Sequence, residues 1–270
     1  MIFHVPHSSL HIPSDLRSAF LLDDQALEAE ILTMTDAFTD DLFGSHAGAD
    51  DSVVTFPISR LVLDPERFLD DTMEIMAGIG MGVIYERTSS KNPLRNNPTI
   101  EERDALIQQF YVPHHKRLNA AIESELSQHG SALILDCHSF PAVPLPYELD
   151  QDPNRPDICI GTDEFHTPEH LVEVAKQAVT DEGMTCQINR PFSGSIVPRR
   201  YYKQNRLVSS IMIEVKRPLY MDEATGERSA TYSKCKASVG KIVGRINRAK
   251  VQASPNPTPC FSRVQKENPE

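Results

Sequence analysis

Hydrophobic residues along this chain gather in short runs, and the stretches between the runs place apolar residues at helical spacing. A short apolar run without alternation is typical of a strand that is buried on both faces of a sheet. The runs predict strands over residues 1–5, 53–56, 61–63, 83–85, 132–140, 157–160, 185–188 and 208–215.

The intervening stretches predict helices over residues 25–43, 100–128, 167–181 and 230–250. Asp23 is placed to cap the first helix, and Thr99 with Glu102 forms a capping box for the second. We expect the second helix to be interrupted or bent near Pro113, because proline cannot donate a backbone hydrogen bond. Strands and helices that alternate in this way indicate the α/β class.

We therefore expect a single three-layer α/β/α domain over residues 1–250, built on a mainly parallel mixed central sheet. No repeat and no linker-like composition interrupts these residues. Residues 251–270 are rich in proline, serine and asparagine, which predicts a flexible C-terminal tail.

The strand at residues 132–140 ends in polar side chains that could carry chemistry. Four apolar residues lead directly into Asp136, Cys137, His138 and Ser139. In open α/β sheets, ligands bind outside the carboxyl ends of the strands, so His138 is a candidate metal ligand or acid/base. A core strand that happens to end in a polar turn would show the same pattern.

Other polar side chains also fall at predicted strand ends. Together they are His7, Arg60, Asp64, Arg67, Arg87, Asp136, His138, Asn189, Arg190 and Glu214. Two histidines and a carboxylate form the ligand set of a catalytic zinc, and arginines clamp carboxylates with paired hydrogen bonds. The set suits hydrolysis of an amide beside a carboxylate. Neither histidine lies in an H-x-x-E or H-E-x-x-H pattern, so spacing alone identifies no metalloenzyme family.

Composition narrows the classes of partner. The formal net charge of −11 over 270 residues argues against nucleic acid or an anionic membrane surface as the main partner. No apolar run approaches the roughly 18 residues of a spanning helix, and the start of the chain lacks the pattern of a secretory signal. Five scattered cysteines suit reduced thiols. We expect a soluble cytoplasmic protein.

For three further features, a functional role is weighed against a structural one. The glycines Gly78, Gly80 and Gly82 lack the spacing of a nucleotide-binding loop. Cys137 beside His138 invites a thiol nucleophile, but adjacent strand residues point to opposite faces. His114 and His115 are adjacent, and either one of them lines a pocket or both lie on the surface.

Seven motifs, in order along nearly the whole chain, resemble those of the N-formylglutamate amidohydrolase family. They are P-H-S-S-x-x-I-P from residue 6, S-R-L-V-x-D-x-x-R-F from 59, Y-x-P-H-H from 111, L-D-C-H-S-F from 135, R-P-D-I-C-I-G from 155, N-R-P-F-S-G-S from 189 and I-E-V-K-R-P-L-Y-M-D-E from 213. That family is similar in fold to the zinc carboxypeptidases and aspartoacylase, so the resemblance implies a zinc-carboxypeptidase-like domain with one Zn²⁺ per chain.

The resemblance also implies roles for individual residues. His7 and His138 would be zinc ligands, and Glu214 the general base. Arg60 and Arg67 would contact the carboxylate of the substrate, with Arg67 part of the catalytic machinery. Substrate contacts are also implied for the neighbouring pair Asn189 and Arg190.

Two positions depart from the pattern that the resemblance implies. Leu10 stands where a carboxypeptidase-like pattern has a glutamate three residues after the first histidine, so we take Asp36 as the candidate third ligand. Glu66 replaces the asparagine of a D-x-N-R pattern, which bears on the acyl amino acid that fits.

The expected reaction is hydrolysis of N-formyl-L-glutamate to formate and L-glutamate, a step of histidine breakdown. The alternatives are a deacylase or carboxypeptidase with another N-acyl substrate, and a non-catalytic protein that binds a carboxylate. The sequence leaves the acyl group, the native metal and the oligomeric state open.

Overall fold

The computed structural model describes residues 1–250, and the predicted tail at 251–270 lies outside them. Six strands form one sheet: β1 (Ile2–Val5), β2 (Ser52–Thr55), β3 (Ala132–Phe140), β4 (Ile158–Gly161), β5 (Cys186–Ile188) and β6 (Val208–Lys216). The order across the sheet is β2-β1-β3-β6-β4-β5. Neighbours are parallel except for β4 against β6, so the predicted mainly parallel, mixed sheet is confirmed.

Six α-helices accompany the sheet: α1 (Asp24–Met34), α2 (Thr39–Gly44), α3 (Ile100–Leu106), α4 (Val112–His129), α5 (Glu169–Asp181) and α6 (Tyr232–Lys250). Short 3-10 turns cover Ser14–Ala19, Ile75–Ile79 and Arg217–Leu219, and a π-helical turn covers Ile107–Tyr111. Within residues 1–250, none of the helices has both the length and the apolar character needed to cross a bilayer.

One face of the sheet is apolar along its whole length. On β3 this face carries Leu133, Leu135 and Cys137, and on β6 it carries Ile211 and Ile213. Helices α2, α5 and α6 pack against it and complete the larger core cluster. Burial of continuous apolar area of this kind is the main stabilising contribution to the domain.

The opposite face is apolar only in its first half. Ile2, Ile134 and Val208 meet Leu118 and Ile122 of α4 there. Helices therefore cover both faces, which gives the predicted three layers. Beyond this point the same face turns polar, and the site described below occupies it.

The predicted helix over residues 25–43 is wrong, because two helices replace it. Asp23 caps α1 as predicted, but the helix ends at Met34, and α2 begins only after Phe38, whose φ is 65°. The backbone N–H of Asp36 donates to the carbonyl of His7 at 2.9 Å rather than to a helical carbonyl. The break thus turns Asp36 towards the sheet.

Two predicted strands, at residues 61–63 and 83–85, are also wrong. Both segments are buried, but they lie in turns and isolated bridges against a second core cluster with Phe56 and Leu94. Each of these apolar runs of three residues is buried. Within residues 1–250, however, no neighbouring strand forms a ladder of hydrogen bonds with either run.

The long second helix is confirmed, together with its capping box at Thr99 and Glu102. A π-helical turn interrupts the helix between α3 and α4, and it ends two residues before Pro113. Gly130 ends α4 in the left-handed conformation, with φ of 72°.

The close approach at Gly161 yields a test of the packing between the sheet and the segment after β5. A Cβ at residue 161 would collide with the carbonyl oxygen of Gly194 and with Met212. We expect Gly161→Ala to lower the free energy of unfolding by about 1–3 kcal/mol, as overpacking does. Urea denaturation measures this. Gly78→Ala is the control, because a Cβ there meets no atom within 4 Å; equal stability of the two variants would contradict the packing described.

Candidate active site

The polar half-face follows from the register of three parallel strands. His4 of β1 pairs with Asp136 of β3, and His138 pairs with Glu214 of β6. Paired residues of parallel strands point to the same face, and positions two apart do so as well. All four side chains are therefore on one face, and all are buried.

Two loops bring a third histidine and a further carboxylate to this face. His7 follows β1 directly, and its ring centroid lies 5.1 Å from that of His138. Asp36, in the break between α1 and α2, places Oδ2 at 3.1 Å from Nδ1 of His138 and 3.6 Å from Nδ1 of His7. Nδ1 of His7 is buried and makes no hydrogen bond within the described part of the chain.

The opposite ring nitrogen of each histidine rests on a buried carboxylate. Nε2 of His7 lies 2.9 Å from Oδ1 of Asp64, and Nε2 of His138 lies 3.1 Å from Oδ1 of Asp136. A metal-ligating histidine usually donates its other N–H to a carboxylate in this manner. With Nε2 protonated by these contacts, the Nδ1 atoms of both rings are left to face Asp36.

Charge at His138 supports a cation at the Nδ1 side. Burial lowers the pKa of His138, but the carboxylates of Glu66, Asp136 and Asp36 outweigh burial and hold the pKa well above its usual value. The raised pKa favours a second proton on the ring of His138. That proton would lie between Nδ1 and Oδ2 of Asp36, which are 3.1 Å apart.

Two sets of three side chains place donor atoms within 4.8 Å of one another, among residues 1–250. One set is His7, Glu66 and His138, and the other is His4, Glu66 and Asp136. Asp36, predicted as the third ligand, belongs to neither set, although it faces both Nδ1 atoms. The sequence did not single out His4, whose only sign was a polar residue inside an apolar strand.

Glu214 is the buried acid of β6, in register with His138. Its Oε2 makes no hydrogen bond to any described residue. Burial raises the pKa of Glu214 to about 8, and the positive charge of His138 opposes this rise. A carboxyl group in this state can take up and release a proton near neutral pH.

The two predicted arginines converge on Asp64. Nη2 of Arg60 lies 2.8 Å from Oδ2 of Asp64, and Nε of Arg67 lies 3.7 Å from the same oxygen. Tyr85 donates its hydroxyl to that oxygen too. A further arginine, Arg217, binds Oδ1 of Asp36 at 3.1 Å; sequence reasoning missed it, although it follows Glu214 by only three residues.

The structure does not bring Asn189 and Arg190 to this cluster. The amide of Asn189 contacts Thr162, while Arg190 forms ion pairs with Asp150 and Asp152. Both residues follow β5, which is parallel to β4, and β4 is antiparallel to β6. They therefore leave the sheet at the edge opposite to His138. Their roles in substrate binding stay predictions.

Cys137 lies on the other face of β3, within the larger apolar core. Burial raises the pKa of its thiol well above the usual value. The thiol is thus separated from His138 by the sheet itself and remains protonated, as the alternation of strand residues predicted.

Comparison with known proteins agrees with the resemblance drawn from the motifs. The model of the N-formylglutamate amidohydrolase family matches residues 1–221. The chain belongs to this family. A protein named N-formylglutamate deformylase from Pseudomonas putida is 26% identical over 83% of this chain and 82% of its own length. A second, from Pseudomonas aeruginosa, is 27% identical over 73% of this chain and 74% of its own length.

A solved structure supports the fold of this family member. The crystal structure of N-formylglutamate amidohydrolase from Ralstonia eutropha JMP134 superposes with a TM-score of 0.80. The two chains are 22% identical, and the match covers 94% of each. The α/β architecture found here is therefore the fold of that structure.

Asp64 offers a test of how the amidohydrolase site is held together. Its carboxylate accepts from His7, Arg60, Tyr85 and the backbone N–H of Glu66. We expect Asp64→Asn to cost about 3–5 kcal/mol in the free energy of unfolding, because the buried guanidinium loses its counter-charge. Chemical denaturation measures the cost. The exposed Asp70, whose carboxylate accepts from the backbone N–H and the hydroxyl of Thr72, gives the control variant Asp70→Asn; equal losses would argue against the arrangement around Asp64.

Proposed function

We propose that this chain is a metal-dependent amidohydrolase that cleaves N-formyl-L-glutamate, with water, into formate and L-glutamate. Membership of the family and the names of the two curated relatives support the reaction. The observation that carries the proposal is local. Two histidines rest their Nε2 atoms on buried carboxylates and turn Nδ1 towards Asp36, beside a buried glutamate.

The residues present fit a divalent cation, for which Zn²⁺ is our expectation. Nδ1 of His7 and of His138 would hold it together with Asp36. The distances from Asp36 to these nitrogens, 3.6 and 3.1 Å, lie on either side of the roughly 3.3 Å that separates two ligands of a tetrahedral zinc at about 2.0 Å. The unpartnered Nδ1 of His7 gains a partner in this arrangement.

Charge in the cluster points the same way. Five carboxyl groups converge here with three guanidinium groups: Asp36, Asp64, Glu66, Asp136 and Glu214 with Arg60, Arg67 and Arg217. With His138 charged and Glu214 protonated, as the shifts of their pKa values indicate, the remaining carboxylates are balanced by cations. A divalent cation would take the place of the second proton on His138, and when bound it would act as a Lewis acid and lower the pKa of a coordinated water.

Glu214 is our candidate general base. It would accept a proton from the attacking water and deliver that proton to the amide nitrogen as the C–N bond breaks. Its raised pKa of about 8 suits delivery of the proton to the amide nitrogen. A cation bound beside His138 would lower that pKa, so that Glu214 is ionised when it accepts the proton from water.

Arg60 and Arg67 would bind the carboxylates of the substrate. Asp64 occupies only part of each guanidinium, with Nη2 of Arg60 and Nε of Arg67 on the same oxygen. The remaining N–H groups can hold a carboxylate with paired hydrogen bonds. A cytoplasmic location and a place in histidine breakdown stay predictions.

Metal content and formate release test the reaction together. We expect the purified protein to release formate from N-formyl-L-glutamate, to lose this activity on chelation and to regain it with Zn²⁺. Rates on N-acetyl-L-glutamate and on N-formyl derivatives of neutral amino acids define the range of substrates. Turnover that survives complete removal of metal would exclude the metal-dependent reaction, and bound metal with no turnover of any amide would indicate a carboxylate-binding protein.

Glu214→Gln tests the base. The amide cannot take up the proton, so kcat should fall by about 10²–10⁴-fold, while metal content stays as in the parent protein. Steady-state kinetics and elemental analysis measure the two quantities. Glu227→Gln, at an exposed position, is the matched control and should keep full activity. Similar kcat values for the two variants would rule out Glu214 as the base.

A further inference from the structure

Glu66 has a carboxylate that the proposed reaction leaves without a role. Its Oε2 lies 3.3 Å from Nε2 of His138 and 3.6 Å from Nε2 of His7, and its Oε1 lies 3.5 Å from Nδ1 of His4. Within residues 1–250, no hydrogen bond reaches this carboxylate with acceptable geometry, even though only 17% of the side chain is exposed.

Each neighbouring imidazole nitrogen already has a closer anionic partner. His7 meets Asp64 at 2.9 Å, His4 meets Asp136 at 2.9 Å, and His138 meets Asp136 at 3.1 Å. An imidazole nitrogen carries one proton and directs it to one acceptor. Within residues 1–250, Glu66 thus has three imidazole nitrogens around it but none that directs a proton to it, which leaves its oxygens free to bind a cation.

We propose that His4, Glu66 and Asp136 hold a second divalent transition-metal ion, separate from the His7–His138 site. Nδ1 of His4 and one oxygen from each carboxylate would be the protein ligands. All three donor atoms lie within 4.8 Å of one another. The distances from Nδ1 of His4, 2.9 Å to Asp136 and 3.5 Å to Glu66, again enclose the roughly 3.3 Å edge of a tetrahedral site.

The surroundings of His4 are those of a ligating histidine. Its Nε2 lies 2.9 Å from Nε2 of His114, which is fully buried. Within residues 1–250, Nε2 of His114 has no other hydrogen-bond partner, so it can accept the Nε2–H of His4. Ligation through Nδ1 of His4 would then leave Nε2–H donating to a buried acceptor, as metal-bound histidines do.

The carboxylates are also held in place for this site. Oδ2 of Asp136 accepts the backbone N–H of Ile196 at 2.9 Å, which leaves Oδ1 directed at His4 and His138. Nε2 of His115 lies 2.8 Å from the carbonyl of Pro65, the residue before Glu66, and Oδ1 of Asp64 accepts the N–H of Glu66 at 3.0 Å.

Glu66 could instead complete the site of His7 and His138, because those three residues also form a compact set. That arrangement would use the Nε2 atoms, which already lie against Asp64 and Asp136. The pairing with His4 and Asp136 needs only the proton of His4 to move from Nδ1 to Nε2, where Nε2 of His114 lies 2.9 Å away, and it keeps Nε2 of His7 and of His138 on their own carboxylates; for this reason the geometry favours it.

A zinc count per chain tests the second site without any substrate. The full chain is stripped with a chelator, equilibrated with excess Zn²⁺, separated from unbound ion by gel filtration and measured by elemental mass spectrometry. We expect about two ions in the parent protein and one in Glu66→Asn. Asparagine removes the charge and is one methylene shorter than glutamate, so it offers no carboxylate ligand to the second site.

His4→Asn should also bind one ion, because its amide can still donate to Asp136 but offers no imidazole ligand. His7→Asn should lose the other ion and keep one, and His7→Asn combined with Glu66→Asn should keep none. Glu227→Gln is the control and should bind two. Circular dichroism confirms that each variant is folded before its ions are counted.

Three outcomes would overturn the proposal. One ion in the parent protein and one in Glu66→Asn would mean that no second site exists. A fall from one ion to none in Glu66→Asn would assign Glu66 to the His7–His138 site, and a parent protein that binds no ion would remove both sites. Because the count needs no turnover, a failure here is distinguishable from a failure of the proposed hydrolysis.

Discussion

The alternation of residues along β3 is the constraint on which the rest of this structure depends. Leu133, Leu135 and Cys137 face the larger apolar core, while Asp136 and His138 face the opposite way. Polar groups can be buried in the middle of a sheet only if each finds a partner. His138 finds Asp36 in the break between α1 and α2, and Asp136 accepts from His4 of β1 and from the backbone N–H of Ile196. Oε2 of Glu214, beside them on β6, has no partner among the described residues.

Much of the fold could be predicted, because burial leaves a periodic trace in the sequence. The strand over residues 132–140 and the capping box at Thr99 were found with their observed bounds. The wrong predictions concern segments that are buried but do not form the regular strand or helix that their pattern predicted. Residues 61–63 are buried without pairing, and the helix at 25–43 breaks at Asp36 because its backbone bonds to His7 instead. Neither event depends on local residues alone.

The candidate site was predictable for side chains that end or lie in parallel strands, and less so elsewhere. His7, His138 and Glu214 were identified because strands deliver them to one edge. Asn189 and Arg190 were grouped with them on the assumption that β5 ends at that edge as well. Because β4 and β5 run against β6, the two residues leave the sheet elsewhere, and their roles in substrate binding stay predictions. Sequence alone does not reveal strand direction, since the apolar pattern is the same either way.

The carboxylates behind the histidines determine what the cluster can do. If Asp64 and Asp136 were absent, His7 and His138 could present either ring nitrogen, and the Nδ1 atoms would not be selected. With both carboxylates in place, each Nε2 has an acceptor for its proton, and each Nδ1 faces Asp36, where either a proton or a cation can lie between them. Asp136 serves His138 and His4 at once. A change at this one carboxylate would therefore alter the tautomers of two histidines together, which couples the Glu66 region to the Glu214 side of the face.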